Sequence, residues 1–279
     1  MKLNRPVGTI KSVGYASVFI NDFEQYRGQK LPGSAWDLWQ NVAALQRSQL
    51  TLLESHADAL KSVEKVRENA DLTREAKTRR SREVFKTYAA AASSVFPDLA
   101  KTAANFYTYA SGKLTAVQDL ASGDVVGASL DAECRSYVRS LRTEDQANLI
   151  GEIRQGGEPR IAAAILRAPA KVSGLKNDQL TVLGAAGIAV AHGDAAVTLA
   201  KLAVGIRELH MLALGLGRDV IRAGVGIESL EAEIEQWAKP SPALESLFAW
   251  LEPIPLELPG KITPEMARRA KQEEPEEAA

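Results

Sequence analysis

The chain has 279 residues, of which 46% are hydrophobic and 25% charged, a balance that supports a globular core and excludes a disordered or low-complexity chain. A formal net charge of -1 excludes a global field strong enough to draw the protein onto nucleic acid or anionic lipid, so a charged partner must be recognised locally. The single cysteine, Cys134, excludes an intramolecular disulfide or a multi-thiolate metal site, and an aromatic content of 6% disfavours a β-sandwich or barrel.

Residues 1–33 read as an N-terminal arm. They carry Pro6, Gly8, Gly14, Gly28, Pro32 and Gly33 around one β-branched and aromatic stretch, 13–20, that suits a short strand. Polar residues interrupt this region, so it lacks the apolar core of a signal peptide, and a cytoplasmic location is expected.

Residues 34–122 read as a long amphipathic helical region. No Gly or Pro occurs from 35 to 96, and Ser34 with Asp37 forms a plausible N-terminal cap. Trp36, Trp39, Ala43, Leu50, Leu53, Ala57 and Leu60 fall on alternating steps of three and four residues, broken only at Gln46. This is coiled-coil spacing, and the ridge is the expected homo-oligomer interface. Leu38, Leu45, Leu52, Ala59 and Val66 form an adjoining stripe. The apolar pattern fades between 67 and 82, so the segment either turns near 69–73 as a helical hairpin or runs on as a rod of roughly 90 Å. Pro97 is expected to end it and open a new helix.

Residues 123–239 read as a compact multi-helix bundle beyond a hinge at Ser122, Gly123 and Gly127. Thr143 and Gln146 match a capping box, and Gly156 and Gly157 close the helix that follows. Residues 182–216 are strongly apolar, but His192, Asp194, Lys201, Arg207, Glu208 and His210 interrupt them, which favours a buried helix over a membrane span. Residues 240–279 form a Pro-rich strap and charged tail. There Ile254, Leu256 and Leu258 alternate with Pro or Glu, as an extended segment laid in a partner's groove would.

Reactive constellations are few. Gly112-Lys113 and Gly260-Lys261 lack the rest of a phosphate-binding loop, and Gly215, Gly217, Gly224 and Gly226 do not complete a dinucleotide fingerprint. His56, His192 and His210 are far apart, with His192 and Asp194 the only close imidazole and carboxylate of interest. Arg135 beside Cys134 would favour a thiolate, but a small buried hydrophobe is the simpler role. Arg74, Lys77, Arg79, Arg80, Arg82 and Lys86 concentrate positive charge on one segment and form a candidate polyanion-binding patch.

The sequence therefore predicts an all-α, non-enzymatic assembly or adaptor protein that self-associates through its long helix and meets protein partners through its extended ends. No cofactor, metal or small-molecule substrate is inferred. Membrane insertion through 182–216 and nucleic-acid binding through 74–86 stand as alternatives.

Overall fold

In a computed structural model, residue 31 and residues 38–255 are described, with the Trp39 side chain excepted. The proposed strand over 13–20, the Ser34 cap, Trp36, Leu256, Leu258 and the tail lie outside the described residues. The fold is all-α. The helices are α1 (Leu38–Glu68), α2 (Arg74–Lys113), α3 (Val125–Ser140), α4 (Thr143–Arg154), α5 (Pro159–Leu166), α6 (Ala170–Ser173), α7 (Asn177–Ala223), α8 (Glu231–Ile234) and α9 (Pro242–Leu251).

Local chemistry selects the hairpin over the rod. Asn69 Oδ1 accepts from the Asp71 N–H at 2.9 Å, and the Thr73 hydroxyl caps α2 by accepting from the Ala76 N–H at 3.2 Å. Lys77 then donates to the Arg67 carbonyl at 2.8 Å, satisfying an acceptor at the end of α1. The two helices pack along each other. On α1 the buried stripe is Leu38, Val42, Leu45, Gln49, Leu52, His56, Ala59 and Val63; on α2 it is Ser81, Phe85, Tyr88, Ala92, Val95, Leu99, Thr102, Phe106 and Tyr109. Both advance by alternating four and three residues, so each helix keeps one face inward along its length.

Pro97 does not end a helix as the sequence predicts; it lies inside α2. A helical proline removes the bond to the carbonyl four residues back and costs about 3 kcal/mol. Here Val95 and Leu99 are buried on either side of it, and the same stripe continues to Tyr109. A break at Pro97 would turn that stripe out of the core, so packing overrides the local preference. The capping box at Thr143 is also not formed: Arg142 occupies the cap without a side-chain cap bond, and instead donates from Nε to Asp145 at 3.0 Å.

Contacts separate two compact units, the described parts of Met1–Thr115 with Thr198–Pro253, and of Ala116–Val197 with Ile254–Ala279. Helix α7 contributes to both, and its backbone leaves helical geometry at His192 (φ -139°, ψ 25°). In the first unit, the second half of α7 buries Leu199, Leu202, Ile206, Leu209, Leu212, Leu216 and Val220, and α9 packs along α2. Gly217 allows the Trp237 ring to lie against this helix, since a Cβ there would meet the ring at 2.9 Å. In the second unit, Val138, Leu149, Ile153, Ile165, Leu175 and Leu183 make a small core under short helices.

Candidate functional site

The ridge selected by sequence spacing sits one residue round from the stripe that α1 buries. Leu53 is buried, Ala43, Leu50 and Leu60 are half-buried, and Ala57 is exposed. Ala43, Leu50 and Ala57, seven residues apart, are thus what α1 offers outside its hairpin. Of the C-terminal trio, Ile254 is buried.

The basic residues of α2 divide by helical angle. Arg74, Arg79 and Arg82 line a shallow cleft of about 360 Å³ with Glu75 and Thr78. Arg80 and Lys86 are exposed, while Lys77 is half-buried and held by the Arg67 carbonyl. The cleft collects three guanidinium groups and one carboxylate, a net positive patch smaller than the run of charges in the sequence implies.

Two imidazoles are buried. His56 Nε2 lies 3.8 Å from Asp219 Oδ2, beyond hydrogen-bond length, and has no hydrogen-bond partner among the described residues. Burial lowers its pKa more than the Asp219 carboxylate raises it, so the ring is neutral at neutral pH. The Tyr88 hydroxyl nearby donates to the Ala213 carbonyl at 3.0 Å, and burial together with Asp219 pushes the phenol above its ordinary range. That phenol is a fixed donor, a structural role more than an acid–base one. His210 stacks on Phe96 with centroids 5.1 Å apart, and its Nδ1 lies 3.1 Å from the Trp237 carbonyl. Among the described residues no group of three His, Cys, Asp or Glu side chains converges to hold a metal ion. Of the sequence's own pair, His192 is half-buried at the break in α7 and Asp194 is exposed, while Cys134 is half-buried on α3. His56 and Asp219 carry no shared sequence motif, because distant helices bring them together.

Residues 182–216 lie within α7, which is long and apolar enough to cross a membrane, with a mean hydropathy of 1.5 over its best 18 residues and 28% of that window buried. The half from Leu199 onward is the core of the first unit. Extracting it into lipid would dismantle that core, and the earlier half carries Leu183 of the second unit's core.

The least satisfied apolar surface is on α3. Val125 is 76% exposed, Val126 72%, Leu130 44% and Tyr137 51%, whereas Gly127, Asp131 and Val138 of the same helix are buried. Val126, Leu130 and Tyr137 are four and seven residues apart and so share one face. Asp124 caps the helix by accepting from the Gly127 N–H at 2.7 Å. A Cβ at Gly127 would lie 2.3 Å from that carboxylate, so a larger residue there would require the Asp124 side chain to shift. Asp131 holds the opposite face inward. Arg160 reaches its Oδ1 at 2.8 Å and Arg167 its Oδ2 at 3.0 Å, with Arg160 also donating to the Gly127 carbonyl and Arg167 to that of Gln118. Sequence reasoning missed this face. Its signal is a helix whose apolar residues at i, i+4 and i+11 compete with a buried stripe centred on a charge.

Comparison with protein-family models, curated proteins and solved structures finds no match.

Proposed function

We propose that this protein is a non-enzymatic helical assembly protein that self-associates through helical faces left outside its cores, with the outer face of α3 as the principal contact. The supporting observation is the exposure of Val125, Val126, Leu130 and Tyr137 on one helix anchored from behind by Asp131. Exposed apolar side chains clustered on a rigid element mark interaction surfaces more than isolated ones do. Burying four such side chains from each of two copies is worth on the order of 10 kcal/mol gross. The rigid-body freedom lost on association, about 4–15 kcal/mol, offsets much of this, so the face supports a weak, concentration-dependent homodimer. A single helix face pairs readily with its own two-fold copy.

Sedimentation equilibrium of the full chain tests this against the double variant Val126→Asp/Leu130→Asp. The wild type is expected to associate with rising concentration, and the variant to sediment as a monomer with unchanged helical circular dichroism. A wild type that stays monomeric throughout, or a variant that associates equally well, removes the proposal.

A further inference from the structure

The cleft at the start of α2 collects Arg74, Arg79 and Arg82 against one carboxylate, Glu75, among the described residues that line it. All three arginines are exposed, and among the described residues none of them has an ion-pair partner. Other arginines of the fold are matched: Arg218 meets Glu231 and Glu235, and Arg160 and Arg167 share Asp131. Helical spacing sets the unmatched ones side by side, because Thr78 and Arg82 follow Arg74 at steps of four and Arg79 precedes Arg82 by three. The first turn of a 40-residue helix adds its positive pole. The turn after α7 backs this stretch. There the Val225 N–H donates to the Ser81 hydroxyl oxygen at 3.1 Å, and a Cβ at Gly226, whose φ is +66°, would meet Thr78 Oγ1 at 2.7 Å. The cleft is thus a fixed concentration of positive charge.

The chain carries a complementary run. Glu273, Glu274, Glu276 and Glu277, outside the described residues, form the densest acidic run in the sequence. Reach permits the two to meet. Helix α9 ends at Leu251 and packs along α2, and both helices belong to the first unit. The stretch from Leu251 to Glu273 spans up to about 70 Å when extended, whereas the whole of α2 is about 60 Å long. Tethering over such a length gives an effective concentration on the order of a millimolar. An exposed ion pair contributes only about 0–1 kcal/mol, so a few such pairs hold a tethered segment but capture a free anion poorly. This favours the chain's own acidic run over an external polyanion as the occupant.

We propose that residues 273–277 dock on the Arg74, Arg79 and Arg82 cleft of the same chain, an intramolecular contact that shields the cleft from other polyanions. The contact is separate from the α3 face and does not depend on self-association.

The test compares the full ¹⁵N-labelled chain with a quadruple variant, Glu273→Gln, Glu274→Gln, Glu276→Gln and Glu277→Gln, at low salt. Amides 74–82 are expected to shift in the variant, and salt that screens exposed charges is expected to produce the same shifts in the wild type. Arg79→Gln/Arg82→Gln, at two exposed positions, is expected to keep its helical circular dichroism and to shift the amides of 273, 274, 276 and 277. A hexaglutamate peptide added in trans is expected to bind the quadruple variant about threefold more tightly than the wild type, whose cleft is already occupied. Amides 74–82 that are unmoved in the quadruple variant, acidic-run amides unmoved by Arg79→Gln/Arg82→Gln, or equal hexaglutamate affinities would each overturn the proposal. Differences between wild type and variant that grow with protein concentration would assign the contact to a second copy and overturn it as well.

Discussion

The two units bury polar groups in opposite ways. In the second, Asp131 is almost completely enclosed, yet both its carboxylate oxygens are met by Arg160 and Arg167, which themselves reach backbone carbonyls. In the first, Gln46, Gln49, His56 and His210 are as deeply enclosed, and each retains at least one side-chain atom without a partner among the described residues. The difference follows from core size. Short helices around a small apolar cluster need a charged staple to fix α3 against α5, whereas long helices with continuous stripes can tolerate desolvated amides inside them. Polar burial is thus a fastening in the second unit, whereas in the first such fastenings, Tyr88 on the Ala213 carbonyl and Ser81 on the Val225 N–H, stand beside amides and imidazoles that carry a cost.

Breaking the staple is expected to have the largest effect. Asp131→Ala leaves two guanidinium groups facing an apolar hole, and removal of one side of a buried ion cluster costs about 3–5 kcal/mol. Arg160 is partly exposed, which places the loss toward the lower end of that range. Hydrogen exchange should show the loss concentrated in residues 127–167, with the hairpin amides of the first unit protected as before. Protection lost equally across both units would mean that the cluster is not local to the second.

The opposite sign is expected in the first unit. Gln49 sits on the same buried stripe as Leu45 and Leu52, and both its amide oxygen and nitrogen lack partners among the described residues. Gln49→Leu replaces a desolvated amide with an apolar group of similar size and is expected to stabilise by about 1–2 kcal/mol in urea titration. Destabilisation would show that the amide has a partner, and that the contrast between the units is false.

The same residues explain what could be read beforehand. The place of a possible turn was legible because Asn69 and Thr73 are residues that end and start helices, but the choice of hairpin over rod was not, since it rests on the packing of α1 along α2. The inward register of α1 was not, since Gln49 and His56 occupy the stripe while Leu50 and Leu53 lie just off it; counting apolar residues selects the neighbouring ridge. Pro97 misled because a local penalty was weighed without the Val95 and Leu99 packing that outlasts it. The boundary between units falls within α7, where a continuous helix carries no punctuation. On α3, hydrophobicity points outward and the charge inward, so a pattern rule inverts the helix. The partners of Phe96 are harder still, because they depend on tertiary packing that no spacing encodes.

The smallest expected effect concerns the two buried imidazoles, and its sign is fixed by burial. Desolvation holds the pKa values of His56 and His210 below the ordinary histidine value of 6.5, so below that pH the unfolded chain takes up protons that the folded chain refuses. Their contribution is complete above about pH 6.5 and is lost as pH falls towards the folded-state values. Urea midpoints should be flat from about pH 8 to 7 and decline between about pH 6.5 and 5. His56→Leu should make that decline shallower. Asp219→Asn should make it steeper, since the Asp219 carboxylate favours the charged form of His56. A wild-type profile that stays flat to pH 5 would show that both rings accept protons within the fold, and the first unit would then fasten its polar groups as the second does.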